Sequence, residues 1–140
     1  MDTPAYILNH QAVVNLYGRW PSFHDANVLE YTTPDAKSQS LGFTLHTWQM
    51  TNEVDAKGFY VLQKHALVSF LFHNIYDVNM DKFRSGNILF GMELIPSTGL
   101  SSFRVQLDSV MDMSGSFSAR SGEVISVIPC TSDGKAAQPT

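Results

Sequence analysis

Apolar residues near the N-terminus recur with the period of an amphipathic α-helix. They share one helical face: Ala5, Leu8, Ala12, Val13 and Leu16. Asp2 or Thr3 is suited to cap this helix. Pro4 suits its first turn, where the missing N–H has no intrahelical partner, and Gly18 suits its end. We therefore predict an N-terminal helix that ends at Gly18 and packs its apolar face against a core.

Beyond this helix the pattern changes to the alternation of β-strands. The predicted strands span residues 28–32, 41–50, 60–75, 87–95 and 102–110. The run 60–75 is long enough for one extended strand, bent near His65. In 102–110, apolar and polar residues alternate cleanly, which is typical of a sheet with one wet face. The stretch 116–129 predicts one further strand or a bulged pair around Gly122.

About six strands, one helix and no βαβ rhythm indicate a mainly β (α+β) fold. We expect a curled antiparallel sheet or a small sandwich, with the N-terminal helix packed on it. A chain of 140 residues has the commonest size of one domain, so residues 1–130 are predicted to form a single globular domain. The polar residues 131–140 predict a disordered tail.

The composition is that of a folded domain with a modest acidic charge. Apolar residues make up 44% and charged residues 16%, which excludes disorder for the main body. A formal net charge of -4 gives no electrostatic reason to expect nucleic acid as a partner. The single cysteine, Cys130, cannot form an intrachain disulfide and fits a reducing compartment. No signal peptide or membrane span is predicted, so we expect a cytoplasmic monomer or homodimer.

The stretch WPSFHDAN places a histidine and an aspartate side by side, which are ingredients of general base chemistry. Adjacent residues entering a strand point to opposite faces and usually cannot touch, so a dyad of His24 and Asp25 is disfavoured. We favour a structural corner, in which Trp20 and Phe23 join the helix to the first strand and Pro21 stiffens the connection. His24 or Asp25 would then satisfy backbone groups of the turn.

The remaining candidates for chemistry do not assemble a site in the sequence. The histidines are His10, His24, His46, His65 and His73, and none has the spacing of a known metal motif. His65 and His73 would be roughly 26 Å apart in a straight strand, because each residue adds about 3.3 Å. The serines lack the context of a hydrolase nucleophile, and Cys130 stands alone. We predict no catalytic residue, no metal and no cofactor.

Acidic residues in connections and at strand ends are the candidates for binding a partner. They are Asp77, Asp81, Asp108 and Asp112. Tyr76 and Phe83 flank two of them and are candidate aromatic anchors, since aromatic residues often dominate interfaces. The alternatives are that the carboxylates belong to an ordinary solvated face and that the aromatic rings pack in the core.

Five stretches of the sequence occur in an order that is typical of a known family. They are NLYGRWPSFHDANVLEY, KHALVSFLFHNIYDV, FRSGNILFGMEL, FRVQLDSVMDMSGSFSA and EVISVIP. From Leu16 to Pro129 this order resembles the immunity protein 50 family of bacterial polymorphic toxin systems, although family members often carry an acidic residue where this chain has Asn27. The resemblance implies a protein that binds and neutralises a cognate toxin without catalysis. An acidic surface would suit a basic toxin such as a nuclease.

Two other functions stay open at this point. One is a small-molecule binding module in a curled β-sheet, which would show a large apolar cavity with a few convergent polar groups. The other is a hydrolase that uses His24 and Asp25. An inhibitor of another protein would instead show a filled core and an exposed patch, which we expect to be acidic and aromatic.

Overall fold

The computed structural model describes residues 4–34, 37, 39–97 and 102–136. These residues form one helix and nine strands, where we expected about six strands. In chain order the elements are β1 (Ile7–Leu8), α1 (His10–Tyr17), β2 (Asn27–Thr32), β3 (Leu41–Val54), β4 (Tyr60–His73), β5 (Tyr76–Asn79), β6 (Leu89–Pro96), β7 (Phe103–Ser109), β8 (Gly115–Ala119) and β9 (Ser121–Pro129). The protein is therefore mainly β, as the alternation predicted.

The strands form two sheets rather than a single curled one. The first sheet has the order β1-β9-β4-β3-β2 and the second the order β5-β8-β7-β6. β1 runs parallel to β9, and the other strand pairs of the described residues are antiparallel. The chain passes between the sheets from β4 to β5 and from β8 to β9. The sheets also meet where the Val28 N–H donates to the Asn87 carbonyl at 2.7 Å, but they do not close.

One hydrophobic core fills the space between the two sheets. Phe43 and Phe70 come from the first sheet, and Phe103 and Phe117 come from the second. Phe72 links them, with ring centroids 6.0 Å from Phe103 and 5.1 Å from Phe117. Each fully buried phenylalanine stabilises the fold by roughly 1.5–3 kcal/mol relative to an exposed one.

The predicted alternation is clearest in β7. Its apolar residues Phe103, Val105 and Leu107 are buried, and the polar residues between them point away from the core. β4 covers the predicted long strand, and Lys64 takes a φ of 54° beside the expected bend at His65. Residues 116–129 are divided between β8 and β9, which lie in different sheets.

The helix is shorter than we predicted and begins at His10 rather than near Pro4. The preceding segment forms β1 instead, and Ile7 and Leu8 pair with Gly122 and Glu123 of β9. Without β1, β9 would be the edge strand of the first sheet and its outer backbone groups would be unpaired. A neighbouring segment that pairs with these groups therefore joins the sheet. Helical periodicity does not detect that competition.

The residues that α1 buries agree only in part with the predicted face. Val13 is buried and Leu16 packs against the core as predicted, but Tyr17 is buried too, and Ala5 and Leu8 are exposed and lie outside the helix. The Tyr17 hydroxyl donates a hydrogen bond to the Lys64 carbonyl at 2.9 Å, which ties the helix to β4. The helix therefore packs on the first sheet, as expected.

The C-terminal end of α1 is the predicted one. Gly18 has a φ of 80°, a conformation that glycine adopts without steric cost, and its N–H donates to the Val14 carbonyl at 2.7 Å. The capping residues we proposed, Asp2 and Thr3, lie outside the described residues. α1 has eight residues, and the described part of the chain contains no helix with the length and apolarity needed to cross a membrane.

Part of the predicted tail is ordered in this structure. The Thr131 N–H donates to the Lys135 carbonyl at 2.8 Å, and Cys130 and Ala136 form a β-bridge. This C-terminal turn lies near β3, where a Cβ added at Gly134 would be 3.2 Å from His46 Nδ1. Residues 137–140 of the predicted tail lie outside the described residues.

Candidate functional site

The connection between α1 and β2, residues 20–25, forms an aromatic corner over the core. Trp20 and Phe23 are only 2% and 1% exposed, and Pro21 between them is half-buried. The rings of Trp20 and Phe23 meet edge to face at 5.6 Å, and Phe23 meets Phe70 in the same way at 5.6 Å. Such contacts are worth about 0.5–1.5 kcal/mol each beyond the area they bury.

Backbone hydrogen bonds fasten this aromatic corner to β6. The Met92 N–H donates to the Ser22 carbonyl at 2.9 Å, and the Asp25 N–H donates to the Leu89 carbonyl at 2.8 Å. β6 lies at the edge of the second sheet, so the backbone of the corner provides hydrogen-bond partners for its first residues. These bonds connect the helix and the core to the second sheet.

His24 and Asp25 contact each other, so our expectation that adjacent residues would point apart is wrong. His24 Nε2 lies 3.5 Å from Asp25 Oδ2. The expectation assumed an extended backbone, but Phe23 and Asp25 have φ angles of 62° and 68°. In this left-handed conformation the side chains no longer alternate, and the cost of such residues is offset by the packing around them.

A backbone hydrogen bond holds the imidazole of this pair in place. His24 Nδ1 donates to the Phe90 carbonyl at 2.8 Å, and Nε2 lies 3.5 Å from the Asp25 carboxylate. Because Nδ1 carries the proton of that bond, Nε2 of the neutral ring has a lone pair and does not donate to Asp25. A general base needs a nitrogen that can reach the proton of a substrate, and Nε2 is the nitrogen left for that role.

A cavity of about 420 Å³ lies between the aromatic corner and β3, and we call it the Trp cavity. Its lining includes Arg19, Trp20, His24, Trp48 and Met50. β2 pairs with β3 only as far as His46, so no described strand covers the β3 edge here. The indole N–H of Trp20 is buried and has no hydrogen-bond partner among the described residues. Sequence reasoning found Trp20 but missed its proximity to Trp48, which depends on the β2–β3 register.

A second polar cluster pairs two histidines on neighbouring strands. His46 Nε2 and His65 Nδ1 share a hydrogen bond of 3.0 Å, and the ring of Trp48 lies 5.0 Å from that of His46. The sequence placed these histidines in separate strands without predicting their contact, which the register of β3 and β4 decides. The described residues contain no group of three potential metal ligands.

Burial shifts the pKa of the titratable groups around this pair. The pKa of His46 is lowered, first because burial disfavours the imidazolium and then because of His65, while Asp133 opposes the shift. Burial, with a smaller contribution from Asp133, raises the pKa of the Cys130 thiol, which makes it a poor nucleophile. Burial also raises the pKa of Tyr17 to about 12.

The aromatic residues we proposed as partner anchors are not free on the surface. Phe83 is 1% exposed and packs in the core, so it cannot touch a partner in this conformation. Tyr76 is half-buried, its hydroxyl donates to Ser102 Oγ at 2.8 Å, and the Arg120 guanidinium lies over its ring. Core packing, the alternative we left open, describes Phe83.

The acidic candidates are all exposed: Asp77, Asp81, Asp108 and Asp112. Asp112 forms a surface ion pair with Lys82 at 3.2 Å, an arrangement that contributes little to stability. Asp81 lines an open groove of about 420 Å³ together with Tyr31, Val78 and Arg84. These carboxylates are accessible to a partner.

The distal half of the β3–β4 hairpin, residues 49–63, extends beyond the rest of the first sheet, and we call it the arm. β2 pairs with β3 only to His46, and β9 pairs with β4 only from Ala66 onward. In the arm, β3 and β4 therefore pair with each other alone among the described strands. A two-stranded hairpin without further cover is only marginally stable in water.

The arm exposes large apolar side chains: Met50 (54%), Val54 (56%), Phe59 (68%), Tyr60 (57%) and Leu62 (38%). Met50 lies opposite Leu62 and Val54 lies opposite Tyr60. Because residues 60 and 62 are two apart on one strand, these two cross-strand pairs share a face of the arm. Sequence reasoning missed this apolar face, since alternation shows that one side is apolar but not whether anything covers it.

Comparison with protein-family models, with curated proteins and with solved structures finds no match to this chain. The resemblance to the immunity protein 50 family therefore stays a prediction.

Proposed function

We propose that this protein is a non-catalytic binder of another protein and neutralises its partner stoichiometrically, as an immunity protein neutralises its cognate toxin. The observation that carries the proposal is the exposed apolar face of the arm. Contiguous apolar surface on a folded domain marks an interaction site, because its burial in a complex is favourable. The cross-strand pairs Met50–Leu62 and Val54–Tyr60 supply such a surface, and Phe59, next to Tyr60 in the chain, is exposed as well.

The interior of the molecule supports binding rather than catalysis. We interpret the two sheets as a small sandwich whose core is filled by phenylalanine side chains. The His24–Asp25 pair of the aromatic corner is anchored by the hydrogen bond from His24 Nδ1 to the Phe90 carbonyl, which suits a structural role. A rigid domain that holds an exposed hairpin can meet a partner with little loss of conformational entropy.

Charge favours a basic partner such as a nuclease toxin in the cytoplasm. The net charge is -4, and four carboxylates outside the arm are exposed: Asp77, Asp81, Asp108 and Asp112. Exposed charges of this kind raise the rate of association and make it depend on salt, while buried aromatic contacts supply most of the affinity. The arm would then provide the affinity and the acidic residues the attraction at a distance.

Co-expression with the toxin encoded next to this gene tests the proposal. We expect cells that carry the toxin to survive only with the intact protein, and the two chains to copurify in equal amounts. The double substitution Phe59→Ser and Tyr60→Ser should weaken binding by at least about tenfold. Both side chains are exposed, so the fold should be unaffected.

Phe90→Ser provides the matched control, because Phe90 is 57% exposed on β6, outside the arm. We expect this variant to protect cells as well as the intact protein does. Equal loss of binding in both variants would contradict the role of the arm. The absence of a neighbouring toxin gene, or turnover of a small substrate that Asp25→Asn abolishes, would overturn the function itself.

A further inference from the structure

We propose that the Trp cavity binds a small planar organic anion, of which an aromatic carboxylate is the simplest form. This site is separate from the acidic surface and borders the arm at Gln49 and Met50. It does not depend on the identity of a protein partner.

The size and walls of the Trp cavity suit an aromatic ring. Its volume of about 420 Å³ falls within the range of roughly 300–1,000 Å³ that is typical of ligand sites. Trp20 and Trp48 contribute indole surface to the lining, and Pro21 and Met50 add further apolar surface. Aromatic rings pack on such side chains edge to face or offset, and the thioether of methionine adapts to their shape.

An unpaired cation sets the charge of the ligand. Arg19 lines the cavity, is exposed, and has no ion-pair partner in the described part of the chain. Its guanidinium can donate to an anionic oxygen and matches the planar geometry of a carboxylate.

The acidic group at this site does not oppose an anion strongly. Asp25 lies 3.5 Å from His24 Nε2, and its side chain is 44% exposed. Water screens a carboxylate at that exposure. The free guanidinium of Arg19 is then the dominant unpaired charge at the cavity.

Titration of the full chain with 2-naphthoate tests the proposal. Both tryptophans of the chain line the cavity, so their fluorescence should change saturably on binding. The uncharged 2-naphthamide should bind at least about tenfold more weakly, since hydrogen bonds to charged groups are the stronger ones.

Arg19→Gln should weaken the binding of 2-naphthoate by about tenfold and leave that of 2-naphthamide unchanged. Arg19 is exposed and unpaired, so this variant should fold normally. Lys57→Gln, in the exposed turn of the arm, removes the same charge far along the hairpin and should have no effect. The proposal is overturned if naphthoate gives no saturable shift at millimolar concentration, if acid and amide bind equally, or if Arg19→Gln changes nothing.

Discussion

His46 Nε2 and His65 Nδ1 lie 3.0 Å apart and share one hydrogen bond across β3 and β4. One ring must donate and the other must accept, so both rings cannot be imidazolium while this bond persists. His46 is 3% exposed, and the C-terminal turn at Gly134 lies near its ring. The pair is therefore a buried polar contact whose integrity depends on pH.

We predict that the free energy of unfolding falls as the pH is lowered through the range below 6.5. The pKa of His46 in the folded state lies below its ordinary value of 6.5, chiefly because of burial and then because of His65. The unfolded chain then binds more protons than the folded one, so protonation favours unfolding. The stabilising contribution of neutral His46 is fully present above pH 6.5 and is lost as the pH falls toward the lowered pKa of His46. The loss is at most about 1.4 kcal/mol per pH unit for one proton.

Urea denaturation between pH 5 and pH 8, run on the intact protein and on His46→Asn, measures this effect. The variant should be less stable at neutral pH and should lose less stability on acidification. The variant retains His65, the partner of His46, and the neighbouring residues Cys130 and Asp133. An identical dependence on pH in both proteins would show that His46 does not carry it.

The aromatic corner should be among the most sensitive places to truncate. Trp20→Ala or Phe23→Ala should each lower the free energy of unfolding by about 3–5 kcal/mol, because both rings are almost completely buried and packed on Phe70. Phe90→Ala is the control, since it removes a ring that is 57% exposed. Thermal melting should place the control within about 0.5 kcal/mol of the intact protein. Unchanged melting of both corner variants would rule out a structural role.

The buried side chain of Asn87 should be important for the stability of the second sheet. It is 0% exposed, its amide donates to the Met113 carbonyl at 2.9 Å, and its side-chain oxygen accepts from Ser109 Oγ. Asn87→Ala leaves both partners without that bond and should cost about 2–3 kcal/mol, measured by urea denaturation. Ser85→Ala, at an exposed position nearby, is the control and should cost less than about 0.5 kcal/mol. Equal stability of the two variants would contradict this role.

We also predict that the protein folds without a bound metal. His46 and His65 direct one nitrogen each at the other, and no group of three potential ligands occurs among the described residues. Elemental analysis of protein purified without added metal should find less than one equivalent of zinc, and a chelator should leave the melting temperature unchanged. Stoichiometric zinc that is lost together with the fold on His24→Ala would show that the prediction is wrong.

Local periodicity was sufficient for most of the strands. The alternation around Phe103, Val105 and Leu107 predicted one buried face of β7, and the long apolar run predicted β4 with its bend. Gly18 was recognisable as a helix end because few other residues tolerate its φ. These features depend on near neighbours in the chain, and a pattern of residues records them directly.

Contacts between segments that are distant in the sequence determined the features that the hydrophobic pattern could not predict. Ile7 and Leu8 joined β9 instead of the helix because an edge strand had backbone groups to satisfy. The contact of His24 with Asp25 followed from a left-handed backbone that the core packing holds, and the β3–β4 register brought His46 to His65. Phe83 was buried while Phe59 was left exposed, although both are phenylalanines near turns.

The sequence by itself therefore determined a mainly β domain with one N-terminal helix that ends at Gly18, since hydrophobic periodicity and turn residues act locally. The tertiary structure alone decided the two-sheet arrangement, the Trp cavity and the exposed face of the arm. Each of these depends on which strands become neighbours and where the shorter strands end. A side chain is buried or exposed according to what the rest of the fold places over it, and that cover comes from residues far away in the chain.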